Sequence, residues 1–261
     1  MLTMNSYKHS GAAGDLIYSL IVPKFTGGGT FYLHLNQLDW IGKHYYGSDP
    51  NPFHQGRMTL QDFEFMRSFM ESQDYITEFK ILDPKSDEIS HNLDRFRPIF
   101  VGHPTNYIDI YAALFGLLED TEQSVKIRTE PWLSVPEVKT VPGKPIVINR
   151  TARWVSPNLP EQYNDWSVQG LEDQSVFVGL ESEYHAFKQN TGWNIPWQQT
   201  SSMLELAEYI AGAEIFIGNQ SQCYALAVGL GVPQIHLELR RDLPKDRNEC
   251  YFPNRTSITY F

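Results

Sequence analysis

Cysteine is scarce. The 261 residues hold two, Cys223 and Cys250. Two thiols build neither a zinc cluster nor a disulfide scaffold, and both are expected to be reduced in a cytoplasmic protein. Long apolar runs are also missing. Mean hydropathy is −0.37, no stretch approaches the ~20 residues of a membrane span, and the opening MLTMNSYKHSGAAGD has no apolar signal core. Positive charge is in deficit, with 21 Lys+Arg against 31 Asp+Glu and a formal net charge of −10. Residues 1–140 and 141–261 are both acidic, so neither half reads as a basic nucleic-acid module. The 8 histidines show no metal-ligand spacing, and no metal site is expected. No GxSxG and no GK[ST] occurs, which argues against an α/β-hydrolase elbow and a P-loop.

What is there is an α/β rhythm. Short apolar runs alternate with longer amphipathic stretches, with no internal repeat. Strands are expected at Met4–Lys8, Thr30–Leu35 and Ile76–Leu82, with helices from Asp15 through Phe25, over Leu60–Met70 and over Asn106–Leu118. The stretch 131–145 concentrates prolines, so the boundary is set there. An acceptor-side domain is expected over 1–135 and a second domain over 136–261. The second half reads as strands at 145–150, 175–180, 214–219 and 232–239, with helices at 182–189, 203–213 and 221–231. The tail 240–261 is polar, is expected to be irregular, and is long enough to cross back over the first half. Two Rossmann-like α/β domains facing a central cleft are the expected architecture, with ligands at the carboxyl ends of the strands.

Four stretches carry chemistry. In Ser10–Asp15 (SGAAGD) the small residues Gly11 and Gly14 let a strand-to-helix turn approach a ligand. Asp15 then reads either as a general base facing the cleft or as an ordinary helix cap. In NRTARW, directly after a strand, Arg150 and Arg153 suit a diphosphate or a solvated basic turn. In Gly218–Pro233 the polar turn Asn219-Gln220-Ser221, followed by Gln222, opens a helix of small residues whose free N–H groups suit an anion. In GLESE, Gly179 and Leu180 offer backbone groups to a nucleobase, and Glu181 or Glu183 suits ribose hydroxyls or a helix cap. A weaker candidate is His91–Arg97, where Arg95 and Arg97 suit an acceptor contact or a surface salt bridge.

The stretch GNQSQCYALAVGLGVP, preceded by ELAEYIAGAEIFI, resembles the donor-binding signature of heptosyltransferase-like (family 9-like) glycosyltransferases of GT-B fold. The opening SGAAGDLIYSLIVPKF resembles the N-terminal turn of the same family, whose aspartate is the proposed base, which implies that role for Asp15. The resemblance also implies a metal-independent, inverting transfer from a nucleotide-diphosphate sugar to a saccharide hydroxyl, with no further cofactor. Gln220 stands where the family has aspartate, Gln222 replaces a glycine and Ala225 a usual histidine, so the donor is open. The short chain implies a compact, divergent relative of the kind carried by phages. Hydroxymethylated bases in DNA are then the alternative acceptor. A catalytically inactive nucleotide-sugar-binding protein is the alternative to an enzyme.

Overall fold

The computed structural model describes residues 5–36, 58–99, 105–151, 163, 165–166, 169–239 and 248–261. Their strands form two parallel sheets. The first holds β1 (Asn5–His9), β2 (Gly29–Leu33), β3 (Ile76–Ile81) and β4 (His91–Asn92), in the order β3-β2-β1-β4. The second holds β5 (Ile146–Asn149), β6 (Ser175–Val178), β7 (Trp197–Gln198), β8 (Ile215–Asn219), β9 (Gln234–Glu238) and β10 (Ile258–Tyr260), in the order β10-β9-β8-β5-β6-β7. Every residue of β5 and β6 is buried, which is why IVIN and SVFV read as unbroken strand runs rather than alternating ones.

Strand order locates the ligand side of each sheet. From β5 the chain builds outward to β6 and β7, then returns to lay β8, β9 and β10 on the opposite flank. That is the doubly wound order, and its switch point lies between β5 and β8. The first sheet repeats the pattern in shorter form, with its switch point between β1 and β4.

The helices are α1 (Ala13–Ser19), α2 (Ile21–Phe25), α3 (Leu60–Glu71), α4 (Tyr107–Leu114), α5 (Thr121–Thr129), α6 (Glu181–Thr191), α7 (Met203–Ala211) and α8 (Gln222–Leu230). Local chemistry sets their starts. Thr59 and Asp62 form a reciprocal capping box on α3. Asn106, Asp120, Ser202 and Ser221 each accept a backbone N–H at the starts of α4, α5, α7 and α8.

Several expectations need correction. The helix expected from Asp15 to Phe25 starts at Ala13 and is interrupted at Leu20. Pro23 has no N–H to continue the ladder, so the chain restarts as α2. The helix expected to run to Leu118 stops at Leu114, and Gly116 follows with φ 70°. The tail is not wholly irregular. Its last strand, β10, pairs in parallel with β9 and covers that edge. The strands β4 and β7 and the helix α5 were not anticipated.

The larger buried cluster takes residues from both sheets. Phe31 and Leu33 of the first join Phe216 and Ile235 of the second, with Ile17 and Tyr18 of α1 and Tyr224 and Leu226 of α8. α1 packs on α8 and α3 on α7. The indole N–H of Trp132 donates to the Ile17 carbonyl at 3.0 Å, which fastens the Pro-rich connection to α1. A second cluster lies around Ile146, Ile148, Phe177 and Ile217 with Phe187 and Trp193. The tail segment touches both halves. Tyr107 N–H donates to Glu249 O at 3.1 Å, and Tyr224 Oη donates to Cys250 O at 2.9 Å. Both cysteines are buried free thiols. Among the described residues, no helix is long and apolar enough to cross a membrane.

Candidate functional site

The site is read from the carboxyl ends of β1, β5, β6 and β8, where α1, α6 and α8 begin. At β5 the chain ends in Asn149, which is 1% exposed and joins three segments. Its Nδ2 donates to Val178 O at 3.0 Å, at the end of β6. Its Oδ1 accepts from Ser221 Oγ at 3.0 Å, at the start of α8. Two glycines make room for it. A Cβ at Gly179 would come within 2.5 Å of Asn149 Nδ2, and φ there is 129°. A Cβ at Gly218 would lie 2.5 Å from Asn149 O. Neither position accepts a side chain without moving the hub.

Asn219, at the end of β8, is fully buried and grips the backbone after β5 from both sides. Thr151 N–H donates to its Oδ1, and its Nδ2 donates to Thr151 O, each at 3.0 Å. Ser221 caps α8 by accepting from Tyr224 N–H at 3.3 Å. Gln220 points to the tail, where its Nε2 donates to Asn248 Oδ1 at 2.9 Å. Gln222 is half-buried at the first helical position. The turn is therefore held by the side chains of Asn219, Gln220 and Ser221, while α8 directs its N-terminal backbone to the switch point.

Arg150 is placed differently from the expectation that it offers its fork to a diphosphate. It is 6% exposed, and its Nε and Nη2 donate to the two oxygens of Glu238 at 2.9 and 3.3 Å. A carboxylate fills the fork. Arg153, the other candidate, lies outside the described residues.

At the end of β6, Glu183 reaches back to accept from Leu180 N–H at 3.1 Å, and so caps α6. Burial pushes the Glu183 carboxyl up from the usual range, against the hydrogen bonds from Leu180 and Asn149. Leu180 is 66% exposed and Glu181 is exposed. Beside them Trp197 Nε1 donates to Gly179 O at 3.1 Å, and its ring stacks on Tyr184 at 5.8 Å.

The first sheet contributes the turn Ser10–Asp15. Gly11 is buried, and Asp15 is half-buried at the third position of α1, in its first turn. Ala12, before the helix, has φ 45°, a conformation in which an alanine is strained. Ser10 is held by Asp94, which accepts from its Oγ at 2.7 Å and its N–H at 3.2 Å, and Lys8 pairs with the same carboxylate at 3.8 Å. Arg95 is exposed in the 3-10 helix Leu93–Ile99. Arg97 lies in the same helix, and its side chain lies outside the described residues.

The two glycine-bearing turns meet. A Cβ at Gly14 would lie 3.8 Å from both Cα and N of Gln222 and 3.9 Å from the Ser221 carbonyl carbon. The first turn of α1, which carries Asp15, therefore lies beside the start of α8. Gly14 and Gln222, 208 positions apart in the chain, come together at this point.

The architecture has solved counterparts. A glycosyl transferase of family 9 from Veillonella parvula DSM 2008 superimposes with TM-score 0.59 at 12% identity, over 98% of this chain and 86% of its own. The E. coli ADP-heptose lps heptosyltransferase II gives 0.53 at 10% identity, over 99% and 90%. The E. coli heptosyltransferase WaaC with ADP gives 0.52 at 11% identity, over 99% and 93%. The fold is heptosyltransferase-like. The sequence itself matches no protein-family model and no curated protein. Within this fold, sequence reasoning picked out the turns but missed the residues that brace them. Asn149, Thr151, Glu238 and Asn248 around the second sheet, and His9, Asp94 and Tyr111 around the first, were given no role. The available signal was a polar residue at the end of a buried strand, as in IVIN and QIHLE.

Proposed function

We propose that the protein is a glycosyltransferase that moves a sugar from a nucleotide-diphosphate donor to a saccharide hydroxyl, without a metal and with inversion. The observation that carries the reading is the meeting of Gly14 with Ser221 and Gln222, which sets the first turn of α1, with Asp15, beside the start of α8 at a doubly wound switch point. Support comes also from the solved structures of like fold, of which one is named an ADP-heptose heptosyltransferase and another holds ADP.

In this reading the domain of residues 136–261 binds the donor. Backbone N–H groups at Ser221 and Gln222 take the diphosphate, with Arg153 as the cation, because Arg150 is already held by Glu238. Gly179 and Leu180 face the nucleobase, with Glu181 toward the ribose. Charge that develops on the leaving diphosphate is met by fixed N–H dipoles. Asp15 takes the proton from the acceptor hydroxyl as the oxygen attacks the anomeric carbon. Gly11 and Arg95 are assigned to the acceptor side, as is Arg97, whose side chain lies outside the described residues.

The test is a thermal-shift screen against UDP, ADP, GDP, CDP and their sugars, followed by transfer assays with the nucleotide that binds. A ligand at ~100 times its dissociation constant stabilises by ~2.7 kcal/mol, a rise of a few degrees in Tm for a chain this long. A shift with one nucleotide, followed by transfer to a saccharide, meets the expectation. Transfer to hydroxymethylated DNA with salt-sensitive binding transfers the reading to the DNA acceptor. Binding without transfer to any acceptor leaves a nucleotide-sugar-binding protein in place of the enzyme.

A further inference from the structure

His9 ends β1 and is fully buried, and nothing in the proposed reaction uses it. It lies between two groups of the Ser10–Asp15 turn. Gly11 N–H donates to its Nδ1 at 3.2 Å. Its Nε2 is 3.2 Å from the phenol oxygen of Tyr111, on α4. Tyr111 Oη in turn donates to the Asp15 carbonyl at 3.2 Å. The tautomer follows from the Gly11 end. A backbone N–H only donates, so Nδ1 carries a lone pair and a neutral His9 carries its hydrogen on Nε2. Nε2–H then donates to the Tyr111 phenol, and the phenol donates to Asp15 O.

We propose that His9 acts through Tyr111 as a positioning residue for Asp15. The proposal rests on the glycosyltransferase reading above. The backbone between the two ends is the part of the turn least able to hold itself, because Ala12 sits at φ 45°. The ring and the phenol tie residues 9, 11 and 15 together across that strained point, and Phe96 stacks against the imidazole at 6.0 Å. Tyr111 is itself fully buried, so the tie is fixed to the core rather than to a mobile surface. Helix propensity would start α1 without this tie, whereas the placement of its first-turn carboxylate against an acceptor depends on it.

The full chain serves for the test. Imidazole nitrogen–proton correlation spectra of the ¹⁵N-labelled protein at neutral pH are expected to show His9 as the neutral Nε2–H tautomer. An Nδ1–H tautomer or an imidazolium overturns the proposal, and neither readout involves a substrate. Tyr111→Phe removes one oxygen and keeps the ring. It is expected to speed exchange of the Gly11 amide about tenfold, and to lower kcat for glycosyl transfer by about tenfold with the nucleotide-sugar KM unchanged. Unchanged exchange with unchanged kcat overturns the proposal, and so does a loss that appears in KM alone. His9→Gln retains an N–H donor for Tyr111 and is expected to recover much of the kcat lost in His9→Ala. Equal loss in both variants contradicts a role through Tyr111. Should the wild type transfer no sugar, the glycosyltransferase reading fails alone, since the tautomer and the exchange rate still decide the tie.

Discussion

At the carboxyl end of the second sheet, Asn149 and Asn219 are 1% and 0% exposed and bind β5, β6, β8 and the start of α8 into one unit. At the carboxyl end of the first sheet, the corresponding turn holds a strained alanine and a half-buried aspartate. The strand order is the same in both places, yet the polar residues are used differently. On the second crest, amides and a buried ion pair satisfy one another and leave a helix start facing the switch point. On the first, the turn is carried by small residues and braced from behind by His9, Tyr111 and Asp94. A platform that must present N–H dipoles gains from being fully satisfied, because each buried polar group left without a partner costs about 1–3 kcal/mol. A turn that must offer a carboxylate to an incoming hydroxyl gains from accessibility.

The comparison is most easily broken through Glu238. Glu238→Ala leaves the Arg150 guanidinium buried without its carboxylate, and the expected loss is about 3–5 kcal/mol of stability by urea unfolding. A loss near zero would mean that the second crest is not held by this pair. Asp15→Asn is expected to act oppositely, cutting transfer at least ~100-fold with stability and nucleotide affinity little changed. Wild-type turnover would return Asp15 to the role of a helix cap. Ser221→Ala removes both the α8 cap and the Asn149 contact, with an expected cost of about 1 kcal/mol in unfolding free energy and weaker nucleotide binding. Ala12→Gly relieves the positive φ and is expected to raise stability by about 1 kcal/mol on the first crest. A drop would show that the alanine is not strained.

The smallest effect concerns pH. The Glu183 carboxyl is raised by burial, so the folded state resists its ionisation. Relative to the unfolded chain, the wild type is best placed below the ordinary carboxylate range and loses that advantage as pH rises through the raised folded value. Glu183→Gln keeps an acceptor for Leu180 N–H and carries no charge. Its stability relative to wild type is therefore expected to be more favourable at neutral pH than at acid pH, measured by urea unfolding at both. A difference that runs the other way would place Glu183 in a setting that favours its charge.

Much of this was legible in the sequence. Glycines and prolines punctuate the chain where strands feed helices, and the turns at Ser10–Asp15 and Asn219–Ser221 stood out because a short apolar run precedes each and an apolar, small-residue helix follows. What stayed hidden were partners distant in the chain. Arg150 looked free for phosphate because Glu238 is 88 residues away. Gln220 looked like a ligand residue because Asn248 enters from the tail, 28 residues later. His9 was weighed only as a metal ligand, since its phenol partner is 102 residues away. The break in the first helix was visible in Pro23, but the periodicity of LIYSLIVPKF ran through it.

The most direct test is an amide NMR titration of the full chain with UDP, ADP, GDP and CDP in turn. The account predicts that one nucleoside diphosphate shifts the amides of Gly179, Leu180, Ser221 and Gln222 together, with Gly14 following because even a Cβ there would lie only 3.8 Å from Gln222. Shifts confined to other regions with whichever nucleotide binds, or none at Ser221 and Gln222 with any of the four at saturating concentration, would contradict it.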